Sequence, residues 1–114
     1  MKTRSENFVF GNEQTSVSVD GGLWRIIMTY DGQLMLLEVK FKAGSIGYQH
    51  QHYHSQCTYV ASGVFEVTIN GEKKTLKTGD AFYVEPNALH GAVCIEDGIL
   101  IDTFSPMRQD FVIW

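Results

Sequence analysis

Short apolar runs separated by glycine-containing turns fill most of this chain, and this pattern restricts its fold more than any other feature. Asp31-Gly32 joins the runs "LWRIIMTY" and "LMLLEVKF", and "GVFEVTI" ends at Asn70-Gly71. Asp-Gly and Asn-Gly pairs favour the tight turns of β-hairpins. Three further runs follow: "TLKTGDAFYV", "GAVCI" and, after Asp97-Gly98, "GILIDTF".

The alternation within these runs indicates strands rather than helices. In "GVFEVTI", Phe65, Val67 and Ile69 alternate with polar residues, and "LMLLEVKF" alternates in the same way from Leu37 to Phe41. No segment has a clear helical period, apart from one turn near "SPMRQDF". We count about eight to ten short strands with a turn roughly every 8 to 12 residues, which predicts an all-β sandwich or barrel of antiparallel strands.

Composition limits the function classes. A chain of 114 residues predicts one domain spanning residues 1–114, and 44 % apolar and 19 % charged residues are ordinary for a globular protein. The net charge of −4, without a lysine or arginine cluster, argues against nucleic acid as a partner. Because neither a signal peptide nor a membrane-spanning run is evident, we expect a cytoplasmic protein without membrane contact. Cys57 and Cys94 adjoin apolar residues, which predicts buried free thiols.

Three of the four histidines fall at alternate positions, His50, His52 and His54, and Gln56 follows them. Residues two apart on a strand project from one face, so His50 and His52 can aim both imidazoles at one point. Such a pair supplies two nitrogen ligands to a divalent metal, and the distant His90 would complete the site. A polar strand face remains the alternative explanation of this pattern.

The spacing of glycines and histidines resembles two motifs of the cupin family. The order Gly44, His50, His52, Gln56 and Gly63 resembles the first motif, in which the position of Gln56 is more often glutamate. The stretch "GDAFYVEPNALH", from Gly79 to His90, resembles the second. It departs from the family pattern because Pro86 falls one place late and Ala88 replaces a glycine. The resemblance implies a single jelly-roll (RmlC-like) β-barrel.

The cupin resemblance also implies a metal site. Carried over by position, the ligands of one divalent transition metal (Ni, Zn, Fe, Co or Cu) would be His50, His52, Gln56 and His90. Glutamine instead of glutamate removes a negative charge, which would leave the metal a stronger Lewis acid. His54 lies outside the motif, and we expect it to be a half-exposed loop residue rather than a contact to the substrate or to the metal ligands.

A narrower resemblance extends over residues 34–111. The stretches "HSQCTYVASGVF", "HGAVC" and "DTFSPMRQDF" resemble the pectin-degradation cupins. Those enzymes linearise 4,5-unsaturated monouronates, released from pectin or alginate, to the open-chain keto form. The resemblance implies functional positions at Asp102, Phe104 and Arg108. Asp102 would move protons, Phe104 would pack on the sugar ring, and Arg108 would hold the carboxylate with its two-pronged guanidinium.

Each of these residues also has an ordinary structural explanation: Asp102 as an edge residue, Phe104 as core and Arg108 as a surface charge. Two other functions remain open, a metal dioxygenase that activates O₂ and a sugar-binding cupin without turnover. By family analogy we expect a homodimer, to which the C-terminal "FVIW" would contribute. Residues 1–30 would supply N-terminal strands and carry no recognisable motif.

Overall fold

The regular structure of the chain is almost entirely antiparallel β-sheet. A computed structural model describes residues 3–112. Within them lie eight strands and two short 3-10 helices, Gly11–Glu13 and Gln109–Phe111. The strands are β1 (Val17–Val19), β2 (Leu23–Asp31), β3 (Leu34–Phe41), β4 (Ile46–His50), β5 (Ser55–Ile69), β6 (Glu72–Lys77), β7 (Ala81–Val84) and β8 (His90–Ser105).

The long strands β5 and β8 pair with each other and change their other partners along their length. Strand β8 begins beside β4 and ends beside β3, while β5 begins beside β7 and ends beside β6. The two long strands therefore join all eight strands into one continuous sheet that folds over on itself, and the pairings divide it into two walls with strand orders β1-β2-β3-β8-β5-β7 and β4-β8-β5-β6. Every pairing is antiparallel. This is the jelly-roll arrangement that the sequence predicted.

Two glycines allow β5 and β8 to bend where they pass each other. Gly63 has φ of 90°, and a Cβ atom there would lie 2.6 Å from the Cα of Gly98. A Cβ atom on Gly98 would lie 2.3 Å from the Ser62 carbonyl oxygen. Only glycine tolerates such an approach. The prediction of a turn at Asp97-Gly98 is therefore wrong, since both residues lie inside β8. The prediction of uniformly short strands is also wrong, because β5 has 15 residues and β8 has 16.

The inward faces follow the alternation in the sequence. Leu37, Val39 and Phe41 are all buried on β3, and Phe65 and Val67 are buried on β5. The Phe41 and Phe65 rings meet edge to face with their centroids 5.0 Å apart. Full burial of a phenylalanine stabilises the fold by about 1.5–3 kcal/mol, so this pair contributes substantially to the stability of the barrel interior.

The predicted hairpin turns are confirmed. Asn70 and Gly71 both have positive φ, 50° and 83°, as the turn between β5 and β6 requires. At the β2–β3 turn, Asp31 Oδ1 accepts hydrogen bonds from the backbone N–H groups of Gln33 and Leu34. The turn expected near "SPMRQDF" is the 3-10 helix Gln109–Phe111.

Three other expectations have different outcomes. Cys94 is buried, but Cys57 is exposed because it faces outward between the inward-facing Gln56 and Thr58, so the prediction of two buried thiols is wrong for Cys57. Among residues 3–112, no helix has the length and apolarity needed to cross a membrane. Part of "FVIW", expected to contribute to a homodimer, lies outside the described residues.

Candidate metal centre

The ends of two paired strands bring three histidines together. His50 ends β4 and pairs with His90, the first residue of β8, while His52 lies in the loop from β4 to β5. The ring centroid of His90 lies 4.4 Å from that of His50 and 4.8 Å from that of His52. One nitrogen of each ring lies within 4.8 Å of the others, so the three imidazoles form a cluster able to hold a metal ion.

Hydrogen bonds orient all three rings in the same way. The Nδ1 atoms of His50, His52 and His90 lie 2.9, 3.1 and 2.9 Å from the carbonyl oxygens of Tyr48, His54 and Ala88 respectively. A neutral imidazole that donates its Nδ1–H keeps a lone pair on Nε2 for a metal. Burial lowers the pKa of His90 to about 4, although the bond to Ala88 opposes this shift. Burial and the charge of Arg108 lower the pKa of His52, so these two rings are neutral at pH 7.

The remaining polar atoms fit a divalent cation. His90 Nε2 is buried and has no hydrogen-bond partner among residues 3–112. His52 Nε2 lies 3.0 Å from Gln56 Oε1, and when His52 Nδ1 carries the proton both of these atoms present lone pairs. Two lone pairs facing at this distance repel each other unless a cation lies between them. A divalent transition metal would be held here by imidazole nitrogens and the amide oxygen, ligand types that such ions accept.

A chain of hydrogen bonds connects Gln56 with Asp102 through Thr58. Gln56 Nε2 donates to Thr58 Oγ1 at 2.9 Å, and the Thr58 hydroxyl donates to Asp102 Oδ1 at 2.7 Å. Because the amide nitrogen is held by Thr58, the amide oxygen faces His52. The sequence analysis missed Thr58, although its parity with Gln56 on β5 places both on the same face. Burial raises the pKa of Asp102 to about 6, against the opposing effects of the Thr58 hydroxyl and Arg108.

A cavity of about 390 Å³ opens beside this network. That volume is within the range of small-molecule sites. Six of the seven predicted site residues line it: His50, Gln56, His90, Asp102, Phe104 and Arg108. His52, the seventh, reaches the site through its contact with Gln56. Arg25 and Phe111, which the sequence analysis did not single out, also line the cavity.

Phe104 and Arg108 have surroundings that the sequence did not predict. Phe104 is only 3 % exposed and packs edge to face against His52 and Phe111, with centroids 5.5 and 6.0 Å away. Protein therefore covers most of its ring. Arg108 Nε and Nη2 donate to Oδ1 and Oδ2 of Asp110 at 3.1 and 2.9 Å. The edge of the Arg108 guanidinium that was expected to hold the substrate carboxylate is thus already paired with the carboxylate of Asp110.

His54 is buried, contrary to the expectation of a half-exposed loop residue. It is 5 % exposed, and its ring stacks on Tyr53 at a centroid distance of 4.1 Å. Its ring is not among the three that form the cluster. Its carbonyl oxygen accepts the hydrogen bond from His52, so His54 contributes through its backbone to the orientation of that ring.

Comparisons with known proteins show the family of the chain. Residues 37–102 match the family model described as "Cupin domain". The pectin degradation protein KdgF of Dickeya dadantii (strain 3937) is 52 % identical over 93 residues, which cover 80 % of this chain and 84 % of that protein. Among solved structures, an RmlC-like cupin from Shewanella frigidimarina NCIMB 400 is 46 % identical, with a TM-score of 0.94, and covers 97 % of this chain and 100 % of its own. The structure of KdgF from Halomonas sp. is 41 % identical, with a TM-score of 0.89, and covers 95 % and 100 %.

The matched segment spans the positions of the His50–Gln56 cluster, Thr58, His90 and Asp102. On the strength of both the family model and these relatives, the chain belongs to the cupin family.

Proposed function

We propose that this protein opens the ring of a 4,5-unsaturated monouronate and converts it to the open-chain keto form. One observation carries the proposal: two imidazoles of the three-histidine cluster and the Gln56 amide line one cavity, and the Asp102 carboxyl is linked to Gln56 through Thr58. The similarity to KdgF, whose name places it in pectin degradation, supports a substrate of this class.

The proposed reaction is an isomerisation, so no other reactant is needed. The anomeric hydroxyl loses its proton, and the bond between the anomeric carbon and the ring oxygen breaks. The anomeric carbon becomes an aldehyde, and the ring oxygen leaves as an enolate on C5. A proton added at C4 then converts the enolate to a ketone. One proton is removed from oxygen and one is delivered to carbon, which is the work of a general acid–base group.

Asp102 has the properties of that group. It lines the cavity, and its pKa of about 6 lets it both accept and return a proton near neutral pH. The Thr58 hydroxyl, donating to Oδ1, leaves Oδ2 available to the substrate. A divalent ion held by His50, His52, Gln56 and His90 would stabilise negative charge developing on the substrate oxygens.

The test is the ultraviolet absorbance of the conjugated double bond in unsaturated galacturonate, which disappears as the enolate becomes a ketone. We expect the metal-loaded protein to accelerate this decay above the rate in buffer. Asp102→Asn should lose about 10²–10⁴-fold in rate, as for removal of a well-placed acid–base group. Asp97→Asn, an exposed change on the same strand, serves as the matched control and should retain activity.

Other outcomes would identify another function. Binding of the uronate without decay faster than in buffer would refute turnover and indicate a sugar-binding cupin. Consumption of oxygen together with the substrate would indicate a dioxygenase. Equal activity of the Asp102→Asn variant would remove Asp102 from the proposed chemistry.

A further inference from the structure

Arg25 extends from β2 into the cavity that contains the proposed metal centre. Its backbone pairs with Val39 on β3, and Val39 pairs with Leu100 on β8. The row in which Leu37 pairs with Asp102 lies two residues further along, on the same face of this sheet. Arg25 therefore approaches the cavity from the sheet that also carries Asp102, two strands away, and its side chain lines the same space.

Within residues 3–112, no carboxylate forms an ion pair with Arg25. Its guanidinium carbon lies 3.7 Å from the centroid of the Phe111 ring, and its buried Nε atom has no hydrogen-bond partner. Burial and the nearby charge of Arg108 lower the pKa of Arg25 although the charge of Asp110 opposes the shift, which means that on balance its surroundings disfavour the cation. An anion entering the cavity would relieve that cost.

Arg108 is different although it contacts the same ring. Its guanidinium carbon lies 4.1 Å from the Phe111 centroid, yet its Nε and Nη2 atoms already donate to Asp110. Two guanidinium groups thus lie over one aromatic ring, and the only carboxylate paired with either among the described residues is that of Asp110. Asp20 and Asp102 also line the cavity, but neither forms an ion pair with Arg25, so among the described residues its guanidinium has no paired carboxylate. Contact with the flat ring holds the guanidinium in place before any ligand arrives.

We propose that Arg25 binds the carboxylate of the sugar acid and makes the site selective for anionic over neutral sugars. The assignment rests on the proposed function for the identity of the substrate, but not for the recognition of a carboxylate. Arg108 is paired with Asp110 and packs against the rings of Phe104 and Phe111. It is then not the principal ligand of the substrate carboxylate.

The binding test uses D-galacturonate and D-galactose as probes, because they differ in the carboxylate and need no turnover. Calorimetric titration of the metal-loaded protein should give weaker binding of galacturonate to Arg25→Gln by about 10- to 100-fold, the effect of losing hydrogen bonds to a charged group. Affinity for galactose should not change. Lys40→Gln is the matched control: it removes an exposed cation from the neighbouring strand, opposite Trp24, and should bind galacturonate as the wild type does.

The kinetic test uses unsaturated galacturonate and separates this proposal from the proposed function. Arg25→Gln should raise KM by a similar factor, with kcat changed less than about threefold, because uniform binding is lost. Arg25→Lys keeps the positive charge but cannot form two parallel hydrogen bonds to a carboxylate. Its galacturonate affinity and its KM should therefore lie between those of wild type and Arg25→Gln. It replaces Arg25→Gln in both tests if that variant does not fold. Wild-type protein that binds galacturonate through Arg25 without turnover would refute the function alone. Galacturonate affinity unchanged by Arg25→Gln or, where that variant does not fold, by Arg25→Lys would overturn the assignment of Arg25.

Discussion

Replacing Asp102 with asparagine should stabilise the protein at neutral pH while it lowers the rate of the proposed reaction by about 10²–10⁴-fold. The carboxyl has an ordinary pKa of 3.8 and a pKa of about 6 in the folded protein, a shift caused chiefly by burial. The folded state therefore holds this proton more tightly than the unfolded state. Stability falls as pH rises from about 4 to 6, and the full cost is present above that range.

The pKa difference sets an upper limit of about 3 kcal/mol on this cost. Because part of the carboxyl faces water in the cavity, we expect about 1–3 kcal/mol. Asparagine carries no charge, and its side-chain oxygen can still accept the hydrogen bond from Thr58. The variant should thus be more stable than wild type above pH 6 and nearly equal to it near pH 4.

Urea unfolding of chelator-treated wild type and Asp102→Asn, from pH 4 to 8, measures this difference. Changes in His52 and His90 are common to both proteins and largely cancel when the two free energies of unfolding are subtracted. Asp97→Asn reports any general effect of an Asp-to-Asn change on β8. A difference that does not vary with pH, or a variant less stable than wild type at pH 7, would refute burial as the cause of the raised pKa.

Three further predictions concern the metal, the strand crossing and the hydrogen-bond chain. His90→Ala should purify with far less bound transition metal than wild type by elemental analysis, because it removes a buried lone pair; equal content would exclude His90 as a ligand. Gly63→Ala should lower the free energy of unfolding by at least about 2 kcal/mol from strain and overlap with Gly98, whereas Gly32→Ala, which meets no atom within 4 Å, should change it little. Equal effects on urea unfolding would contradict the crossing. Thr58→Val should move the acidic limb of the kcat/KM profile to higher pH, because the Thr58 hydroxyl lowers the pKa of Asp102; an unmoved limb would contradict that coupling.

The sequence alone was sufficient for features that depend on neighbouring residues. The Asn70-Gly71 turn follows from positive φ, and the inward face of β3 follows from alternation, so both are visible in a few consecutive letters. The pair His50 and His52 was predicted for the same reason, and the resemblance to the second cupin motif connected it with His90. Gly98 was misjudged because a glycine that ends a strand and a glycine that permits a strand crossing look identical in sequence.

Only the tertiary structure decided which distant groups meet. Thr58 and Asp102 are 44 residues apart, and their hydrogen bond exists because β5 and β8 pair in one particular register. Arg25 comes from a segment without a motif. That its guanidinium packs on Phe111 without a paired carboxylate, while Asp110 pairs with Arg108, depends on the folded arrangement. Local chemistry determines turns and strand faces, whereas strand register and side-chain competition for partners depend on the whole barrel; no short stretch of sequence contains them.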